Sequence, residues 1–136
     1  MRNCEPKDIP RVIQLLKDVK LFWEIGDKED VCLKKLQHDP DSILVLEEDG
    51  KIIGTAFTVY DPWASFLWHL SIAPECQGRG LASLLSREAE RRLKARGTTS
   101  VNGYVAPDNS RSLSFLKKHG YDTSSKPVIP VEKVLE

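Results

Sequence analysis

Apolar residues recur along this chain in two rhythms. Near the N-terminus and again after residue 80 they return every three to four positions; between residues 42 and 73 they alternate or run together. Val12, Leu15, Leu16 and Val19 share one face of a first helix, with Asp8 read as its N-cap and Pro10 in its first turn. Residues 20–26 break the pattern and read as a loop. Asp27 then predicts the cap of a second, short helix that turns Val31, Cys32 and Leu36 inward. Residues 42–46 and 52–60 read as strands joined at Asp49-Gly50, a strong hairpin signal. Asp61-Pro62 turns the chain, and residues 65–73 form a third long strand. Leu81, Leu84, Leu85, Ala89 and Leu93 return to helical spacing with Arg and Glu opposite, and Gly97 ends that helix. A strand over 101–106, a helix over 109–119 and an edge strand over 128–134, broken by Pro130, complete the chain. Strands and helices together give an α/β (α+β) chain in one domain, residues 1–136, without internal repeats or low-complexity segments.

Charge and cysteine usage narrow the function classes. The 20 basic and 20 acidic residues cancel, so no net field recommends a nucleic acid or a membrane surface. No apolar run approaches the roughly 20 residues that span a bilayer. Met1-Arg2-Asn3-Cys4-Glu5-Pro6 lacks the apolar core of a signal peptide. Cys4, Cys32 and Cys76 are odd in number and widely spaced, which fits a reducing cytoplasm and argues against a disulfide framework or a metal site.

The most informative stretch is Gln77-Gly78-Arg79-Gly80-Leu81-Ala82. An apolar run ending in Ser71-Ile72-Ala73-Pro74 feeds a glycine-rich turn that opens a helix. The first N–H groups of a helix lack intrahelical partners and its dipole favours negative charge there, so this turn is an anion site. A nucleotide P-loop requires Lys and Ser or Thr after its last glycine, where Leu81 and Ala82 stand. A dinucleotide-binding turn wants a third glycine and an acidic residue roughly 20 positions on; a fragment of that type is the remote alternative. Gln77, Gly80 and Ala82 fit Gln/Arg-x-x-Gly-x-Gly/Ala and resemble the acyl-CoA pyrophosphate loop of the GNAT superfamily of N-acetyltransferases. The likeness extends over nearly the whole chain: a first strand and helix in residues 2–16, Asn109 near a late helix start, and Phe115 to Tyr121 with a Gly-aromatic exit.

That resemblance implies a mixed, mostly antiparallel sheet with splayed central strands and about four helices. It implies acetyl-CoA as cosubstrate and a primary amine as acceptor: a peptide N-terminus, a lysine or a small molecule. Gln77, Gly78, Arg79, Gly80, Leu81, Ala82 and Ser83 would hold the pyrophosphate. The backbone of Leu70, Ser71 and Ile72 would pair with the pantetheine arm, with Asn109 on the same arm or serving as a helix cap. The N–H of Leu70 would stabilise the tetrahedral oxyanion, a contribution of roughly 3 kcal/mol when well aimed. Many members carry a proton-donating Tyr seven residues after the motif Asn; here that residue is Leu116. Three readings follow: another residue protonates the thiolate, water does so, or the chain is a non-catalytic acyl-CoA-binding module. Tyr104, His69 and a water chain are the candidates for removing the amine proton. Phe22, Trp23, Glu24 and Asp27 on one side, with Tyr60, Asp61, Trp63 and Trp68 on the other, suit a cationic amine, and both Trp23 and Trp63 also read as loop anchors. The chain is expected to act as a monomer or homodimer.

Overall fold

Asp49 and Gly50 turn the chain with φ of +50° and +75°, the hand that matches the twist of a two-residue hairpin. The strands on either side of this turn lie at the heart of a five-stranded sheet. In the computed structural model, which describes residues 1–135, the strands are β1 (Arg2–Asn3), β2 (Ile43–Glu48), β3 (Lys51–Val59), β4 (Ser65–Ile72) and β5 (Val101–Asn102). They stand in sequence order. The first four are antiparallel and β5 joins β4 in parallel. The helices are α1 (Ile9–Asp18), α2 (Glu29–His38), α3 (Leu81–Ala95) and α4 (Ser110–Lys118). Clustering divides the chain into two units: Met1–Gly103, which holds the sheet and α1 to α3, and the segment from Tyr104 on, which holds α4.

Alternation along β2 and β3 sorts the core of the first unit onto two faces. Ile9, Val12 and Leu16 of α1 and Cys32 and Leu36 of α2 pack on Ile43, Val45, Ile52 and Phe57. Leu85 and Ala89 of α3 pack on Leu44, Ala56, Leu67 and Ile72 on the opposite face. Gly54 lets α3 close on the sheet: a Cβ there would meet Ile72 Cδ1 at 2.8 Å and Leu85 Cδ1 at 3.0 Å. Thr55, fully buried, satisfies its hydroxyl on the carbonyl of Leu44 at 2.8 Å.

The helix starts differ from the sequence reading. Asp8 stands at the N-cap position of α1, but its side chain makes no capping hydrogen bond there. Its buried carboxylate accepts the Glu5 N–H at 2.8 Å, closing a 3-10 turn over Pro6–Asp8, and receives the Arg2 guanidinium at 2.6 and 3.1 Å. Asp27 does not cap α2 either; Lys28 holds that position. The strand expected over 101–106 shortens to Val101–Asn102. Residues 128–134 form no strand: Pro127 and Pro130 each remove a backbone donor and fix φ, which a ladder does not tolerate.

Arg2 holds the Asp8 carboxyl below its ordinary range through these hydrogen bonds. A depressed folded-state pKa contributes stability that is present above the unfolded value and is lost as pH falls through the folded one. Asp8→Asn should therefore cost about 1.5–3 kcal/mol at pH 7. It should also flatten the loss of stability on acidification below about pH 5. Denaturant unfolding at a series of pH values measures both.

Candidate functional site

The register of β4 slips at its centre. Ser71 pairs with Thr55 and Trp68 pairs with Phe57, so His69 and Leu70 together stand opposite Ala56. Such a bulge bends the strand and takes one residue out of the ladder. His69 adopts φ +52°; the other described non-glycine residues with positive φ, Lys20 and Asp49, lie in turns. A left-handed residue inside a strand stores roughly 1–3 kcal/mol of strain. Ser71 Oγ donates to the His69 carbonyl at 3.0 Å across the bulge. The ladder with β5 ends at Phe66 and Asn102 and does not extend to it.

The bulge aims the His69 ring at the α1–α2 side. The ring meets Phe57 edge to face, with centroids 5.1 Å apart. Its Nε2 lies 2.9 and 3.1 Å from the two carboxylate oxygens of Asp27. Asp27 is only 3% exposed. It is delivered by a tight loop: its carboxylate accepts the Trp23 N–H at 2.7 Å, and its own N–H donates to the Trp23 carbonyl at 2.9 Å. The half-exposed Trp23 indole lies on Gly26, where a Cβ would come within 2.1 Å of the ring. Glu24 is exposed in the same loop. Beneath it, Cys32 is buried; burial first and the Asp27 charge second push its thiol up to about 11.

β4 runs through a 3-10 turn, Pro74–Cys76, into the glycine loop. Gln77 Nε2 donates to the Ile72 carbonyl at 3.1 Å and ties loop to strand. Gly78 and Gly80 take φ of +81° and +76°, and no heavy atom lies within 4 Å of where their Cβ atoms would stand, so a ligand can approach the backbone. Gly80 precedes α3, whose first turn carries no acidic residue and includes Leu81, Ala82 and Ser83. Arg79, expected to add charge to the anion site, is a bidentate partner of Glu48 at 2.6 and 3.1 Å and holds that carboxyl below its usual range.

The remaining candidates lie elsewhere. The Tyr60 hydroxyl donates to the Arg96 carbonyl at 2.8 Å, at the exit of α3, and the Arg96 guanidinium sits 4.0 Å over its ring. Trp63 is 88% exposed on a turn pinned by its N–H to Asp61 Oδ1. Trp68 stacks on Phe66. In the second unit, Tyr104 is exposed, and Asn109 caps α4 by accepting the Ser112 N–H at 3.1 Å. Leu116 lies partly buried on α4, and His119 bonds the Phe115 carbonyl and stacks on its ring. The sequence reading missed the joining of Asp27 to His69, 42 residues apart; an aspartate two residues before a helix carries a stronger local signal as a cap. Among the described residues no group of three or more His, Cys, Asp or Glu is placed to hold a metal ion, and no helix is long and apolar enough to cross a membrane.

A family model described as the acetyltransferase (GNAT) family matches residues 9–121. The chain belongs to the GNAT family. An acetyltransferase of Pectobacterium atrosepticum is 34% identical to it over 123 residues, covering 90% of this chain and 87% of that protein. Ard1 of Thermoplasma volcanium superposes with a TM-score of 0.81 at 19% identity, covering 91% of this chain and 82% of that one. The PaiA N-acetyltransferase of Thermoplasma acidophilum, in complex with coenzyme A, superposes with a TM-score of 0.76 at 20% identity, covering 89% and 87%. These likenesses confirm the GNAT fold, and the family match with its named relatives makes the chain an acetyltransferase enzyme. GNAT enzymes use acetyl-CoA, which places the glycine loop and the β4 bulge at the centre of interest.

Gly26→Ala should drive the Trp23 indole off the loop. The expected cost is about 1–3 kcal/mol, as for other overpacked positions. A thermal melt and the change in tryptophan emission check it; an unchanged melt and spectrum would show that the ring contributes nothing to holding the loop.

Proposed function

We propose that this GNAT enzyme transfers the acetyl group of acetyl-CoA to a primary amine by direct attack, with pyrophosphate on residues 77–83 and the thioester beside His69-Leu70. One observation carries the reading: a strand with a central bulge continues directly into an open-faced glycine loop that starts a helix. The loop supplies N–H groups and the positive end of the α3 dipole to the pyrophosphate. Gln77 and Ser83 flank it, while the Arg79 guanidinium is taken up by Glu48. The backbone of Leu70, Ser71 and Ile72 suits the amides of the pantetheine arm, which bind as an added strand binds. The Leu70 N–H, beside the bulged residue, is the oxyanion donor.

On the acceptor side, Trp23 and Glu24 offer an aromatic face and a carboxylate to a cationic amine. Tyr60 and Trp63 are second candidates, and the Tyr60 hydroxyl is already engaged by Arg96. Tyr104 and His69 are the titratable groups available for the amine proton. The family match spans both units, residues 9–121, and supports a single GNAT domain over residues 1–136. The free thiols of Cys4, Cys32 and Cys76 favour a reducing, cytoplasmic setting.

Gly80→Asp tests the placement. Aspartate tolerates the left-handed backbone better than most residues, so the fold should survive while a like charge enters the anion site. The thermal shift produced by CoA in the parent should vanish in this variant; a shift of the same size would overturn the assignment. Leu116→Tyr probes the missing proton donor. If leaving-thiolate protonation limits turnover, thiol release from acetyl-CoA should speed up by tenfold or more, about the lower range of general-acid effects. An unchanged rate would show that protonation of the thiolate does not limit turnover.

A further inference from the structure

We infer that Asp27 is a positioning residue that holds His69 as the proton acceptor for the incoming amine, with Nε2–H on the Asp27 carboxylate and Nδ1 as the base; this rests on the acetyltransferase reading above. The tautomer follows from hydrogen-bond bookkeeping. An ionised carboxylate is an acceptor only, and one buried this deeply requires donors. Asp27 has two: the Trp23 N–H and His69 Nε2. At 2.9 Å a bare Nε2 lone pair would face an oxygen lone pair, so Nε2 carries the hydrogen. In a neutral imidazole the other nitrogen is then the acceptor. Nδ1 makes no hydrogen bond to any described residue, and the side chain keeps 15% of its surface open.

Charge points the same way. Among the described residues Asp27 has no Lys or Arg partner, so an imidazolium at His69 is the counter-ion its position lacks. The groups packed around the pair do not compete. Phe57 is apolar, Cys32 stays a neutral thiol, and the Lys35 ammonium is committed to the Thr58 carbonyl at 2.6 Å. The base also stands one residue from the proposed oxyanion donor, Leu70. The reaction balances on these groups. Nδ1 takes one proton from the acceptor ammonium, giving an imidazolium held by Asp27. The free amine attacks the thioester carbon, and the C–N bond forms while the oxyanion takes the Leu70 N–H. Collapse breaks the C–S bond; the thiolate takes one proton, and the second proton of the attacking nitrogen leaves to solvent. The imidazolium supplies the thiolate, which fills the place that Leu116 leaves open.

The experiment compares the parent with Asp27→Asn, His69→Asn and His69→Gln. Asparagine at 69 tolerates the left-handed backbone, which keeps a folded variant in hand should glutamine unfold the chain. Thiol release from acetyl-CoA with a panel of primary amines gives kcat/KM from pH 5.5 to 9; CoA thermal shift and imidazole nitrogen NMR run in parallel. Expected are an acid limb in the parent, an Nε2–H tautomer, and a limb moved to lower pH with about tenfold lower kcat/KM in Asp27→Asn. The His69 variants should lose the limb and about a hundredfold of kcat/KM while keeping the CoA shift. Variants that match the parent in rate and pH profile, or an Nδ1–H tautomer, would overturn the assignment and leave the acetyltransferase reading standing. A parent with neither CoA shift nor thiol release would overturn both.

Discussion

One extra residue in β4 decides which way the site faces. A strict period of two from Leu67 would send His69 and Ser71 to the α3 face and Leu70 and Ile72 to the other. The structure has Leu67, Leu70 and Ile72 all packed on the α3 side, with His69 against Phe57 on the opposite face. The slip at Ala56 reconciles these demands. It also strains His69 and takes a backbone group out of the ladder beside it, which is the local price of a strand that must pack on both sides. The helical packing on each face holds the slip in place, since undoing it would take Leu70 and Ile72 off the α3 cluster and turn an imidazole into it.

The loop before α2 is built to serve that slip. Burying the Asp27 carboxylate is costly unless donors replace its water. Trp23 supplies one from the backbone, and its indole closes over Gly26, where no side chain fits. His69 supplies the other. Either partner alone would leave the carboxylate short of donors, so loop and strand depend on each other across 42 residues of chain. The same charge acts on Cys32 below, where it adds to burial in keeping the thiol protonated. Reactivity is thereby withheld from the buried sulfur.

Much of the fold was legible because its signals are local. Asp49-Gly50 specifies its turn, the stripes of α1 and α3 specify their faces, and Gly78 and Gly80 mark a loop whose backbone angles favour glycine. The errors have a shared cause. Asp8 and Asp27 both precede helices and read as caps, yet both carboxylates are used over longer range, by Arg2 and by His69. Local pattern cannot see such partners. It likewise could not see the bulge, which arises from the competition of two faces for one strand, or Glu48 claiming Arg79 from the end of β2. The stretch over 128–134 differs for another reason: its apolar residues suit a strand, but Pro127 and Pro130 forbid the ladder.

The absence of a tyrosine at Leu116 gains a physical meaning beside the His69–Asp27 pair. A phenol is useful at the leaving sulfur because it can donate without first being charged, but its ordinary pKa near 10 leaves it a weak base at neutral pH. An imidazole near neutrality can take a proton from the amine and still give it up, and a thiolate of ordinary pKa about 8–9 is basic enough to receive it. A base recharged within the same turnover makes a separate acid redundant. The carboxylate that fixes the tautomer also bounds the arrangement. In the proposed mechanism it favours the imidazolium that forms, and too strong a pairing would hold the proton when the sulfur needs it. Two donors converge on Asp27, one of them from the backbone, so its charge is not spent on the imidazole alone.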